Sequence, residues 1–147
     1  ERNDLGLVIL GENFSKTPEA FEESKKEFVN QIVHWGYVDS FEEYAKWLWR
    51  SHIIPVTSNQ EFFGGSVMEA IYCGVWPILP NRLTYPELIP DIFHKDNIYK
   101  TEEQLFKKII WSIKNYNDLA VHKIASISEK FDWRLMSKEY DEKLESI

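Results

Sequence analysis

An α/β fold with a parallel sheet covered on both faces is the architecture this sequence predicts. Short apolar runs alternate with amphipathic segments along the chain, and the runs are too uniformly hydrophobic to leave one face in water. Several of the intervening segments open with helix-capping signals. The 147 residues fit one domain with a real core, and the hydrophobic (44%) and charged (28%) fractions are those of an ordinary globule.

The first strand is the apolar run Leu5 to Leu10, closed by Gly11. "KTPEAFEESKKEFVNQ" reads as a helix, with Thr17 as N-cap, Pro18 at the first helical position and Phe21 and Phe28 on the buried face. "QIVHWG" is a strand. "DSFEEYAKWLWRSH" places Ser40 three residues before Glu43, a capping box, with Phe41, Tyr44, Ala45 and Leu48 as its apolar stripe. "HIIPVTS" is a strand that Pro55 should bulge or delay, because proline has no N–H for a ladder.

Next come a loop Asn59–Gly64, a helix Gly65–Cys73 ended by Gly74, and a strand Val75–Leu79. Tyr85 to Ile89 reads as a turn or short helix, and an extended segment is expected around Ile98. A helix capped by Thr101 carries Leu105, Ile109 and Ile113 on one face. Two further helices are expected, over about Asn117–Phe131 and Arg134–Ser146.

Composition excludes several classes of function. A net charge of −7 argues against a main nucleic-acid surface, which needs clustered Lys and Arg. No apolar run reaches the ~20 residues of a membrane helix. The single cysteine, Cys73, excludes an internal disulfide, fits a reducing compartment such as the cytoplasm, and reads as a buried inert thiol. His34, His52, His94 and His122 are scattered without metal-ligand spacing, so no metal or cofactor is expected. Trp47 and Trp49 read as packing residues, and Arg82 as a surface arginine with only a weak claim to an anion contact. The chain enters its first strand almost at once, without a start methionine, which predicts a piece of a longer protein.

Glu61 and Glu69 stand apart. From Phe62 to Asn81, Glu69 alone interrupts an apolar or neutral stretch, and Glu61 guards the loop before it. At ~100° per residue, Glu69 lies about 200° around the helix from Val67, away from the sheet. Glu61, Gly64 and Gly65 fall at the carboxyl edge of the strands, where open α/β sheets bind ligands. Helix N-termini with free amides hold anions. Two carboxylates around such amides suit a ligand with hydroxyls on either side of a diphosphate, as in a nucleotide sugar. Taken singly, Glu69 is an ordinary solvated helix residue and Glu61 an ordinary loop acid.

The run Glu61-Phe-Phe-Gly-Gly-Ser-Val-Met-Glu69, with Ala70, Cys73-Gly74 and Pro77 after it, resembles the E-x7-E motif of retaining GT-B glycosyltransferases of group 1 (family 4). More narrowly, "HWGYVDSFEEYAKWLW", "EFFGGSVMEAIYCGVWPILPNRLTYPELIP" and "DLAVHKIASISEKFDWRLM" resemble the C-terminal half of the tRNA-queuosine mannosyltransferase family. The resemblance implies a Rossmann-like three-layer lobe over residues 1–147 that binds a nucleotide-sugar donor, GDP-mannose. It implies that Glu61 contacts the hexose as the catalytic-site acid and Glu69 the ribose. The amides of Phe62, Phe63, Gly64 and Gly65 would meet sugar hydroxyls, those of Ser66 and Val67 the distal phosphate, and Tyr37 would lie beside the base. The family's basic phosphate motif, first strand and N-terminal acceptor domain, through which tRNA would bind, have no counterpart here. The chain alone is therefore expected to be inactive. A polysaccharide or lipid glycosyltransferase, and a non-catalytic α/β interaction or regulatory module, are the alternatives.

Overall fold

The computed structural model describes residues 5–11 and 19–146. They divide into two compact units at the Arg50–Ser51 junction. In the first, β1 (Leu7–Leu10) pairs in parallel with β2 (Ile32–Gly36), and the helices are α1 (Glu19–Glu27) and α2 (Phe41–Arg50). The Ser40 cap is formed: the Glu43 amide donates to Ser40 Oγ at 3.1 Å. Thr17 and Pro18 lie outside the described residues.

Burial in this unit is shallower than the sequence suggests. β1 is half-buried along its length, and α1 contributes no buried residue. Phe21 meets Trp35 edge-on at 6.0 Å but stays about half exposed, as does Phe28. Of the α2 stripe only Leu48 is buried. Two strands offer a narrow bed, so a helix laid on them covers part of one side chain rather than a continuous stripe.

The second unit holds the dense core. Its strands are β3 (Ile53–Pro55), β4 (Trp76–Pro80) and β5 (Ile98–Tyr99), all parallel, with β4 central and every β4 residue buried. The helices are α3 (Gly65–Tyr72), α4 (Tyr85–Leu88), α5 (Asp91–Asn97), α6 (Glu102–Lys114), α7 (Val121–Ala125) and α8 (Trp133–Glu145). Val67, Met68 and Ile71 of α3 pack with Ile78, Leu79, Tyr85, Leu88 and Ile124. The helices and parallel strands form the Rossmann-like α/β arrangement expected.

Three differences have local causes. Pro55 neither bulges nor delays β3. Trp76 N–H donates to His52 O, and Val56 N–H to Ile78 O, so residues 52 and 56 face β4 and Pro55 faces the opposite edge. Helix α5 was not anticipated before the strand at Ile98. It follows Pro90, and the His94 ring is tied to the carbonyls of Pro86 and Ile89. The segment expected as one helix over 117–131 is broken into 3-10 turns at Tyr116–Asp118 and Ser126–Phe131 flanking α7, because Leu119 is extended.

The Pro77 carbonyl in the central strand β4 takes its hydrogen bond from a side chain. Asn97, fully buried, donates Nδ2–H to Pro77 O at 2.6 Å, just below the point where β5 begins to pair. Replacing Asn97 by Ala strands that buried carbonyl, at a cost of about 1–3 kcal/mol. Urea unfolding of Asn97→Ala should show a stability loss in that range. An unchanged midpoint would mean that water substitutes for the amide without penalty.

Candidate functional site

After Val56 the chain leaves the sheet and runs as a loop to Gly64. Glu61 folds back on this loop. Its Oε1 accepts hydrogen bonds from three successive amides, Phe62 (2.9 Å), Phe63 (3.1 Å) and Gly64 (2.9 Å). Successive amides turned to one point form an anion-binding nest, here filled by the loop's own carboxylate. The Gly64 amide foremost, then that of Phe63, hold the Glu61 carboxyl below its ordinary range; burial opposes them, and the Phe62 amide adds the smallest share. A carboxyl that binds its proton less tightly when folded stabilises the fold fully above the ordinary carboxylate range. That contribution is lost as pH falls through its lowered pKa. The Phe62 side chain is 99% exposed, so side-chain packing does not hold the loop there. Phe63 rests edge-on against Phe131, with centroids 5.3 Å apart.

Gly64 makes the turn from loop to helix. Its φ is 84°, in the left-handed region, and a Cβ there would lie 2.5 Å from Leu88 Cδ1. Helix α3 then begins, with the Met68 amide donating to Gly64 O. Helix geometry leaves the amides of Gly65, Ser66 and Val67 without intrahelical acceptors, and no side chain caps them. The sequence of α3 separates its faces as expected: Val67, Met68, Ala70 and Ile71 are buried, while Ser66 and Glu69 are exposed. At the far end a Schellman pattern closes it, with Gly74 N–H on Ile71 O and Val75 N–H on Ala70 O.

Two residues that sequence reasoning missed or misjudged converge on the start of the loop. The Arg82 guanidinium donates to two carbonyls, Thr57 O through Nη2 (2.8 Å) and Ser58 O through Nε (3.1 Å). The buried Tyr99 hydroxyl donates to Val56 O at 2.7 Å. No local signal marks these bonds, since the partners are 24 to 43 residues apart.

Glu61, the amides of residues 62–67 and Glu69 thus lie on one continuous loop–helix segment of the second unit. Tyr37 belongs to the first unit, exposed in the turn after β2. The amides of Phe62, Phe63 and Gly64, assigned from the sequence to sugar hydroxyls, are engaged by Glu61 in this structure. Cys73 is half-buried rather than buried, and burial first, then the Glu69 charge, pushes its thiol up. It stays protonated near neutral pH and is a poor nucleophile. Among the described residues no group of His, Cys, Asp and Glu has the makings of a metal site.

Residues 1–130 match the family described as glycosyl transferases group 1. The chain belongs to that family. Among curated relatives, a tRNA-queuosine alpha-mannosyltransferase of Drosophila melanogaster is 39% identical over 106 residues, covering 72% of this chain and 27% of the relative. A probable sucrose-phosphate synthase of Thermosipho melanesiensis is 33% identical over 89 residues, covering 60% of this chain and 21% of the relative. The aligned region therefore spans about a quarter of the length of these relatives. Among solved structures, Anabaena Alr3699/HepE in complex with UDP superposes with a TM-score of 0.72 over 97% of this chain and 41% of the other, at 20% identity. The fold is shared with that protein.

The neighbouring glycines of this group 1 segment separate fold from ligand. Gly64→Ala meets both a left-handed backbone and the Leu88 side chain, and should destabilise by about 1–2 kcal/mol or more. Gly65→Ala has room, its Cβ reaching only Phe63 Cδ1 at 4.0 Å. It should fold with a change within about 0.5 kcal/mol. Thermal unfolding of both variants distinguishes them, and equal losses would contradict the loop geometry.

Proposed function

We propose that this chain is the donor-binding lobe of a group 1 glycosyltransferase that takes a hexose from a nucleotide sugar. The observation that carries this reading is the placement of two carboxylates around the open end of α3. Glu61 is locked by Oε1, which leaves Oε2 outside the loop's own hydrogen bonds, and Glu69 is exposed on the helix beyond. In this reading Glu61 Oε2 accepts from a hexose hydroxyl. The uncapped amides of Gly65, Ser66 and Val67 meet the sugar and the distal phosphate, and Glu69 accepts from the ribose. Phe62, Phe63 and Gly64 act through their hold on Glu61.

The similarity to a mannosyltransferase acting on tRNA-queuosine favours GDP-mannose as donor and a queuosine-bearing tRNA as acceptor. The acceptor would be held by an N-terminal domain of the whole protein, acting in the cytoplasm without metal or organic cofactor. Among the described residues no helix is long and apolar enough to cross a membrane.

Calorimetry with GDP, UDP and ADP and their sugars tests the donor site on this chain. Weak binding that prefers GDP-mannose is expected. A hydrogen bond to a charged group contributes about 1.5–3 kcal/mol, so Glu69→Ala should weaken donor binding by roughly 10- to 100-fold. In the full-length protein Glu69→Ala should act on KM, and Glu61→Gln mainly on kcat, because Glu61 orients the sugar that reacts. Wild-type constants in both variants would remove the two acids from the mechanism.

A further inference from the structure

We infer that Arg82, assisted by Tyr99, is a positioning residue for the reaction. It sets the bend from which the Glu61 loop departs, and so the place of the Glu61 carboxylate relative to the donor. This rests on the donor-site reading above and adds residues that do not touch the donor.

The geometry of the carbonyls carries the inference. In an extended strand successive carbonyls point to opposite edges. The Val56 amide still bonds to β4, through Ile78 O at 2.9 Å. Immediately after it, the carbonyls of Thr57 and Ser58 both turn to one guanidinium, at 2.8 and 3.1 Å. The chain therefore bends away from the sheet at this pair, and the bend is defined by a fork of two N–H groups on the same edge of a plane. Tyr99, from β5, fixes the preceding carbonyl, Val56 O, at 2.7 Å. Three consecutive carbonyls are thus held from β5 and from the turn after β4. Six residues on, three consecutive amides are held by Glu61. The span from Val56 to Gly64 is pinned through its acceptors at one end and its donors at the other.

The turn bearing Arg82 shows an independent sign of constraint. Leu83 has a φ of 56°, a left-handed conformation that a leucine rarely adopts, and its side chain is about half exposed. Burial does not account for that conformation. The Arg82 amide bonds back to Pro80 O at 2.8 Å, which presents the side chain toward Thr57 and Ser58. Lysine cannot replace the fork, because its ammonium is a point charge on a flexible stem.

The test uses the full-length protein, with GDP-mannose as the donor probe, and compares Arg82→Lys, Tyr99→Phe and Glu69→Ala. Small misplacements of catalytic groups cost up to ~100-fold in rate. Arg82→Lys should lower kcat per folded molecule by roughly 10- to 100-fold, with donor KM changed less. Tyr99→Phe should act in the same direction and more weakly. Amide exchange at Phe62, Phe63 and Gly64 should quicken in both. The combination of Arg82→Lys with Glu61→Gln should fall short of the product of the single effects, because both act through one loop. Wild-type kcat and amide protection in Arg82→Lys would overturn the inference, as would an activity loss that tracks only the unfolded fraction. If Arg82→Lys does not fold, Tyr99→Phe decides on the same readouts. Unchanged donor affinity in Glu69→Ala would overturn the donor-site reading itself, whereas failure of the Arg82 role leaves the Glu69 effect in place.

Discussion

One carboxylate oxygen organises the candidate site. Glu61 Oε1 gathers the amides of Phe62, Phe63 and Gly64, three donors that a loop would otherwise have to leave to water. Their convergence requires the loop to curl tightly, and the curl ends in the left-handed Gly64, from which α3 starts. The direction of α3, the aim of its uncapped amides and the exposure of Glu69 all follow from that exit. Protonating the carboxylate weakens all three bonds at once and so loosens the curl that leads into the helix.

The second unit gives this loop a firm base. α3 buries Val67, Met68, Ala70 and Ile71 against strand β4, which is wholly buried, so the helix has little freedom to shift. Leu88 from α4 sits against Gly64, closing the space a side chain would need. The polar groups at the loop's root are satisfied from distant elements, Arg82 after β4 and Tyr99 in β5. A flexible-looking segment of Gly, Phe and Ser is thus held by hydrogen bonds at both ends while its surface, including the Phe62 ring, stays open.

Much of this was legible from residue patterns. The parallel α/β class, the caps at Ser40 and Thr101, the loop before Gly65, and the outward face of Glu69 all follow from periodicity and local chemistry. The seven-residue spacing of the two acids led to the group 1 family before any geometry was known. What stayed hidden depends on contacts distant in sequence or on backbone state. Arg82 looked like an ordinary surface arginine because nothing nearby shows that two carbonyls 24 and 25 residues away need donors. Glu61 looked like a ligand contact or an ordinary loop acid, because no local pattern shows that the next three amides turn back to its carboxylate. Phe21 and Phe28 looked buried because helical periodicity says which face turns inward, and nothing about how much sheet lies beneath it.

The most direct test of the Glu61 anchor is a pH titration of the backbone amide resonances of Phe62, Phe63 and Gly64 by heteronuclear NMR. Free glutamate titrates near ~4.3. The three amides should shift together, with one midpoint below that value, and should not shift over the same range in Glu61→Gln. A midpoint at or above the free value, or three amides that titrate independently, would contradict a loop built on one ionised oxygen.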